Sequence, residues 1–242
     1  MNRSHPTIQS LFLHVLPGIV IFGFYVIAAP VLFTSFGVPR GGTILLGFMI
    51  VGMPLQLTLM KRQATAEGKK GIREVISFRQ PQPFWLTIAL VAVAFALAVG
   101  ILATFPLDRI SSWLADKVFW WFPPPARPAS DLNGAGALVL ATLVLQIIVD
   151  GIVNPIVEEL YFRGFLLPRL SGLGWAAPVV NTALFTLAHL WQPYNYITIF
   201  TMVLPLTLIT WWRRNIYVQM ISHCLANTIG ATISLHAYMQ AH

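Results

Sequence analysis

The sequence is 242 residues long, and 57% of its residues are hydrophobic while only 10% are charged. Soluble domains usually carry about a quarter charged residues, so this composition excludes a soluble globular protein. The net charge of +7 does not indicate nucleic-acid binding, because the basic residues flank apolar segments and do not form a soluble face with stacking aromatics. We therefore expect membrane lipids as partners and no nucleic acid.

Long apolar runs follow one another along the chain. A helix needs about 20 apolar residues to cross roughly 30 Å of hydrocarbon. The runs predict an all-α fold, a polytopic transmembrane helical bundle of about seven to eight helices, in a single integral membrane domain over residues 1–242. The fifth and sixth runs are short, so each could be tilted, re-entrant or buried among other helices. The seven predicted spans are Leu11–Phe33, Thr43–Met60, Phe84–Phe105, Ala135–Val157, Trp175–Leu190, Tyr196–Trp212 and Val218–Tyr238.

The basic residues set the expected orientation. Arg213 and Arg214 lie between the sixth and seventh spans, and the positive-inside rule places them and the basic loop after the second span in the cytoplasm. The N-terminus then lies inside and the C-terminus outside, in a multi-pass protein of the cell membrane if the source is prokaryotic. The first run is too long for a secretory signal, so we expect it to remain a helix of the mature protein. The basic residues of the loop are Lys61, Arg62, Lys69, Lys70, Arg73 and Arg79.

The loop between the third and fourth spans, Asp108 to Asp131, is rich in aromatic residues and ends in prolines. Aromatics interleaved with charges and followed by a proline break predict an interfacial helix that ends in a rigid turn. A plain connecting loop with an aromatic belt explains the same residues nearly as well. The residues concerned are Trp113, Phe119, Trp120, Trp121, Phe122, Pro123–Pro125 and Pro128.

Two adjacent carboxylates and an arginine follow the fourth apolar run. Ionisable side chains near the hydrocarbon core cost free energy, so they tend to have a task. Glu159 and Arg163 are spaced to pair on a helix, whereas Glu158 points about 100° away and could act as a general base toward water. Asp150 lies on nearly the same face as Glu158, and we leave it outside the core site. A simple cluster of anchoring charges at a helix end would explain these residues as well.

Two later spans carry polar groups at helical spacing. His189 lies four residues after Phe185, and His223 lies four residues before Asn227. An imidazole can bind a metal or donate a hydrogen bond, and an asparagine amide can donate to an oxyanion. Taken singly, each residue is explained by hydrogen bonds that hold membrane helices together. Taken together, three helices bring the carboxylate, imidazole and amide groups that a hydrolytic site needs.

The three motifs occur in a fixed order within residues 150–235, and together they resemble the CPBP intramembrane protease family. That family includes the type II CAAX prenyl endopeptidases and the bacterial Abi proteins. No motif position departs from the family pattern, and the resemblance leaves Glu159 and Arg163 mainly structural. The motifs are Glu158-Glu159-x-x-x-Arg163, Phe185-x-x-x-His189 and His223-x-x-x-Asn227.

The resemblance implies an endopeptidase that cuts a membrane-associated or prenylated peptide or protein. Glu158 would activate water, His189 would assist, and His223 with Asn227 would support the oxyanion. The family is classed among the metalloproteases, but the cofactor stays open here. Glu158, His189 and His223 could bind zinc with a position left for water, and the same groups could hydrolyse a peptide without metal.

Two other functions also stay open. Buried Glu, His and Arg residues are used by proton-coupled membrane transporters, although no inverted repeat is visible in the sequence. A non-catalytic scaffold or immunity protein on the same fold is the second alternative. For the protease we expect Glu158, His189 and His223 to converge on one water-filled cavity that opens to the cytoplasmic side.

Overall fold

The computed structural model describes residues 7–122 and 136–241 of the chain. Over these residues the fold is all-α, as predicted, and the only strand-like pairing is a single bridge between Arg79 and Asn215. Two short 3-10 turns, at Ile72–Glu74 and Pro193–Asn195, lie in connecting loops. The eight helices are α1 (Thr7–Phe36), α2 (Arg40–Ala66), α3 (Phe84–Thr104), α4 (Leu107–Lys117), α5 (Gly136–Leu173), α6 (Ala176–Ala188), α7 (Tyr196–Arg213) and α8 (Tyr217–Ala241).

Over the described residues, each of the seven predicted spans falls within one of these helices, to within one or two residues at its ends. Within residues 7–122 and 136–241, five helical segments are long and apolar enough to cross a membrane, namely α1, α2, α3, α5 and the segment Pro193–Arg213 that contains α7. Helix α6 has 13 residues, so the fifth span is short, as expected, whereas the sixth lies in a segment of 21 residues that is long enough to cross. Helix α8 is long enough, but polar residues that include His223 and Asn227 lower its hydropathy.

Three stretches inside these helices have π-helical geometry. They are Phe48–Gly52 in α2, and Val149–Val153 and Glu159–Leu166 in α5. A π-helical turn contains an extra residue, so it rotates the side chains that follow it and frequently occurs at functional sites. Helix α5 therefore contains two π-helical stretches, and its last residues, Leu167–Leu173, have 3-10 geometry.

The two basic loops lie at the same end of the bundle, as the sequence predicts. The loop after α2 packs over the turn between α7 and α8, where the Ile216 amide donates to the Phe78 carbonyl at 2.8 Å. The same loop reaches α5, where the Ser77 amide donates to the Gly164 carbonyl at 2.8 Å. We call this the basic end of the bundle.

A large cluster of buried apolar side chains lies directly beneath the loop at the basic end. It joins this loop to α2, α5 and the start of α8, so it closes the bundle on that side. Its members include Met60, Val75, Ile76, Phe78, Tyr161, Phe162, Phe165, Leu166, Leu167, Trp211 and Ile216.

The opposite end carries a short helix in the loop for which the sequence predicted one. Helix α4 forms where expected, and the Ser111 and Thr198 hydroxyls lie 3.1 Å apart, which ties α4 to the start of α7. Its Trp113 side chain is exposed, as an aromatic residue at a membrane interface would be. The proline turn at Pro123–Pro125 and Pro128 lies outside the described residues.

Helices α1 and α6 are in direct contact at Gly18. A Cβ atom at this position would lie 1.9 Å from the Ala188 carbonyl oxygen, so only glycine allows this approach. Ala188 is the last residue of α6 and directly precedes His189. The contact therefore fixes the position of a residue that the sequence assigns to the site.

Candidate active site

The two adjacent carboxylates lie where α5 changes from α-helical to π-helical geometry. Glu158 is 5% exposed and Glu159 is fully buried. Oε1 of Glu159 lies 3.3 Å from Nη1 of Arg163, so the ion pair predicted from the helical spacing is present. The extra residue of the π-helical turn does not prevent this pairing.

Arg163 is fully buried and is held on three sides. Besides Glu159, its guanidinium lies over the Phe185 ring, 4.0 Å from the ring centroid. Arginine can only donate hydrogen bonds, so the Gln219 amide must turn its oxygen toward this residue. In that orientation the oxygen accepts from Nη2 at 3.0 Å and from Nε at 2.9 Å. These contacts favour the structural role that the family resemblance implies for Arg163.

His223 lies between the two carboxylates. Its Nδ1 is 2.9 Å from Oε1 of Glu159, and its Nε2 is 4.0 Å from Oε2 of Glu158. An ionised carboxylate can only accept hydrogen bonds, so Nδ1 carries a hydrogen that it donates to Glu159. The sequence did not predict this contact, because residues 64 positions apart give no spacing signal.

His189 lies at the end of α6, between two aromatic rings. Its ring centroid is 4.6 Å from that of Phe185 and 4.9 Å from that of Trp191. Its Nδ1 lies 2.8 Å from the Phe185 carbonyl oxygen, which accepts a hydrogen bond from this nitrogen. Nε2 is then the nitrogen that carries the lone pair in the neutral ring.

Asn227 bridges α8 to the first π-helical stretch of α5. Its Nδ2 donates to the Asp150 carbonyl at 3.0 Å, and the neighbouring Thr228 hydroxyl donates to the Gly151 carbonyl at 3.2 Å. A Cβ atom at Gly151 would lie 2.8 Å from the Thr228 hydroxyl, so glycine permits this close packing. An amide nitrogen has two hydrogens, so one remains for a ligand.

Most of the predicted site residues line one cavity of about 460 Å³. Arg163 is the exception, because it lies behind Glu159 and does not reach the cavity. Asp150, which the sequence left outside the site, also lines it. The predicted site residues on the cavity wall are Glu158, Glu159, His189, His223 and Asn227.

The cavity extends away from the basic end. Its lining reaches Pro39 and Gly41 at the start of α2 and Val139 near the start of α5. The lining does not include the loop after α2, so the cavity does not reach the basic end, where the sequence predicted that it would open. The reason is that the loop after α2 folds over the bundle and its apolar side chains close the basic end.

Within residues 7–122 and 136–241, no group of three or more His, Cys, Asp or Glu side chains is arranged to hold a metal ion. The ligand set considered from the sequence, Glu158, His189 and His223, is therefore not assembled in this geometry. The Nδ1 contacts of His223 with Glu159 and of His189 with a backbone carbonyl leave Nε2 of each ring for a ligand, but these nitrogens and the Glu158 carboxylate are not grouped to share one ion. The arrangement does not fit a resident zinc ion held by these three groups.

Two buried polar groups that brace the site were missed in the sequence. Asn181 donates to the Phe162 carbonyl at 3.0 Å, and its Nδ2 also lies 3.0 Å from Nε2 of the buried His14. These contacts hold the π-helical stretch of α5 against α1 and α6. Gln219, which contacts Arg163, is the second group. Two features of the sequence could have indicated these groups. One is His14, a lone histidine in the first span, and the other is Gln219, one helical turn before His223.

Residues 140–229 match the family described as type II CAAX prenyl endopeptidase, Rce1-like. This segment contains all three motifs. The predicted resemblance to the CAAX protease family is therefore confirmed. The match covers less than half of the chain. At the level of the family it supports peptidase activity, and the long apolar helices support an integral multi-pass membrane protein. No curated protein and no solved structure matches the chain.

Proposed function

We propose that this protein is an intramembrane endopeptidase of the CAAX-protease type, in which Glu158 activates a water molecule to hydrolyse a peptide bond. One observation carries the proposal. Glu158 lines the same cavity as His189, His223 and Asn227, while the neighbouring Glu159 is engaged by a buried ion pair. Glu158 is therefore the carboxylate that is left to act on water.

In the first step the Glu158 carboxylate takes a proton from water, and the water oxygen bonds to the carbonyl carbon of the scissile peptide. The Nε2 lone pair of His189 accepts the second hydrogen of the same water and orients it for attack. The Phe185 carbonyl supports this role, because it holds the hydrogen of the imidazole on Nδ1.

The peptide carbonyl oxygen becomes an oxyanion in the tetrahedral intermediate. When protonated, His223 donates to Glu159 through Nδ1 and has its Nε2 hydrogen left for the oxyanion. The second amide hydrogen of Asn227 is the other donor. Glu158 then gives its proton to the leaving nitrogen, and the carbon–nitrogen bond breaks to release an acid and an amine.

The proposed substrate is a membrane-associated or prenylated peptide. Next to the polar groups, the cavity wall is formed by apolar side chains of α7, which suit a segment that carries a lipid anchor or lies in the bilayer. These side chains are Ile199, Met202, Val203 and Leu206. We further propose that the protein resides in the cell membrane with its N-terminus in the cytoplasm, on the basis of the basic loops.

The alternatives are less well supported. A proton-coupled transporter needs a path that can open at both ends, and buried apolar side chains close the basic end in the part of the chain that is described. A scaffold or immunity protein has no need for a cavity in which carboxylate, imidazole and amide groups converge.

The proposal is tested with purified protein in liposomes and two fluorescent peptides, one prenylated and one carrying an acyl anchor. We expect cleavage of at least one peptide, with the cut bond identified by mass spectrometry. Glu158→Gln should abolish cleavage at an unchanged thermal unfolding midpoint, whereas Glu74→Gln, on the exposed loop, should cleave like the parent. Cleavage by Glu158→Gln at the parent rate would remove Glu158 from the mechanism. A chelator with metal add-back in the same assay addresses the cofactor.

A further inference from the structure

The cavity follows one face of α5 from the end opposite the basic loops down to the site. Residues that line the cavity recur about every turn along this helix and form a stripe on one face. The stripe ends at the two carboxylates, Glu158 and Glu159. At 1.5 Å per residue, the distance from Val139 to Glu158 is about 28 Å. The lining residues of α5 are Val139, Thr142, Leu143, Gln146, Asp150, Asn154, Glu158 and Glu159.

The path along this stripe is polar. Gln146, Asp150 and Asn154 are spaced one turn apart and lead to Glu158. Polar groups in the bilayer tend to face a water-filled cavity or one another. The stripe therefore provides a polar route between Glu158 and the end of the bundle opposite the basic loops.

The cavity-lining residues of helix α2 also show that the cavity extends away from the basic end. This helix runs from the opposite end at Arg40 to the basic end at Ala66. Its lining residues all come from its first nine residues, and the loop that follows it contributes none. The residues of α2 concerned are Gly41, Ile44, Leu45 and Phe48.

The basic end is closed and its loop is tied down. Val75, Leu166 and Ile216 are completely buried beneath the loop. The Arg169 guanidinium, also buried, lies 3.0 Å from Oε1 of Glu67 and donates to the Val75 carbonyl at 3.3 Å. The ion pair of Arg169 with Glu67 fastens the loop after α2 to α5.

The distribution of basic residues assigns the two ends to the two sides of the membrane. The loops and helix ends at the basic end carry eight Lys and Arg residues, namely Lys61, Arg62, Lys69, Lys70, Arg73, Arg79, Arg213 and Arg214. In the described residues, the loop and helix ends on the other side carry three, namely Arg40, Arg109 and Lys117. The positive-inside rule therefore places the basic end in the cytoplasm.

From these observations we infer that the site is reached from the non-cytoplasmic side of the membrane. The substrate is then a peptide segment exposed on the outer face, belonging to an exported lipid-anchored peptide or to a membrane protein. That the ligand is a peptide rests on the proposed function. The direction of access rests only on the cavity, the closed basic end and the charges.

Cysteine accessibility tests this inference without any need for catalysis. Cys224 is the only cysteine in the sequence, so Cys224→Ala gives a cysteine-free parent. Single cysteines are then placed at Gly41 in the cavity mouth, at Gln146 deeper in the stripe, and at Lys70 on the exposed basic loop. A Cβ atom at Gly41 meets nothing within 4 Å, so Gly41→Cys projects its thiol into open space. Ser35→Cys, at the exposed end of α1, marks the same side outside the cavity.

A membrane-impermeant maleimide is applied to intact cells and to inside-out vesicles. We expect Gly41→Cys, Gln146→Cys and Ser35→Cys to be labelled in intact cells, and Lys70→Cys only in inside-out vesicles. The reverse pattern would overturn the inference. Labelling of Ser35→Cys but of neither cavity position in intact cells would overturn it too. Because Glu158→Gln should leave the labelling unchanged, a protein without peptidase activity is distinguishable from one with the opposite access.

Discussion

His223 lies between the two adjacent carboxylates of α5, with Nδ1 2.9 Å from Glu159 and Nε2 4.0 Å from Glu158. One imidazole thus connects the proposed base to the buried ion pair of Glu159 and Arg163. Glu159 consequently has two tasks, to neutralise Arg163 and to orient His223. The two glutamates should therefore respond differently to the same substitution.

Glu158→Gln and Glu159→Gln separate these roles. Glu158→Gln removes the base and should lower the cleavage rate by about 10²–10⁴-fold, the usual contribution of general base catalysis, while the thermal midpoint stays near that of the parent. Glu159→Gln leaves the charge of Arg163 buried without its anion, which should cost about 3–5 kcal/mol. Cleavage rates and thermal midpoints in detergent check both expectations. A stable Glu159→Gln protein beside an unstable Glu158→Gln protein would reverse the assignment.

Replacing the whole ion pair should be less harmful than breaking it. Arg163→Met and Glu159→Gln each leave one buried charge without its partner, whereas the double variant leaves neither. We expect the double variant to unfold at a higher temperature than either single variant, because the two residues are in contact and their effects are not additive. Additive losses would show that the pair contributes little and that packing around Phe185 dominates.

Helical spacing and hydropathy were enough to predict the helices of the seven apolar runs, the all-α fold and the pairing of Glu159 with Arg163. They could not predict the contact of His223 with Glu159, since it joins residues on α5 and α8 through packing. The π-helical stretches were also out of reach, because a sequence pattern assumes 100° per residue throughout. The direction of the cavity could not be predicted either, because nothing in the pattern indicates that the loop after α2 folds inward.

Gly18→Ala should weaken the site from a distance. The added Cβ atom would lie 1.9 Å from the Ala188 carbonyl, so α1 and α6 must move apart and carry His189 with them. We expect a lower thermal midpoint and slower cleavage. Gly23→Ala is the matched control on the same helix, because a Cβ atom there meets nothing within 4 Å. Equal effects of the two variants would mean that helix propensity, and not the close approach, explains the loss.

The ion pairs of Glu67 should make the basic end sensitive to acid. Burial raises the pKa of this carboxyl, but hydrogen bonds from Lys69, Gln63 and Arg169 outweigh burial and lower the pKa from 4.5 to about 2. A lowered pKa in the folded state means that the stabilisation is complete above pH 4.5. It is lost progressively as the pH falls from 4.5 toward 2.

Thermal unfolding of Glu67→Gln and Glu74→Gln between pH 7 and pH 3 tests this sensitivity. Hydrogen bonds to charged groups contribute about 1.5–3 kcal/mol each, so Glu67→Gln should lower the midpoint by several degrees at pH 7. Its midpoint should also fall less than that of the parent between pH 5 and pH 3, because the titrating group is gone. Glu74 is exposed, so Glu74→Gln should follow the parent over the whole range. Parallel pH profiles of Glu67→Gln and the parent would contradict the assignment of this acid sensitivity to Glu67.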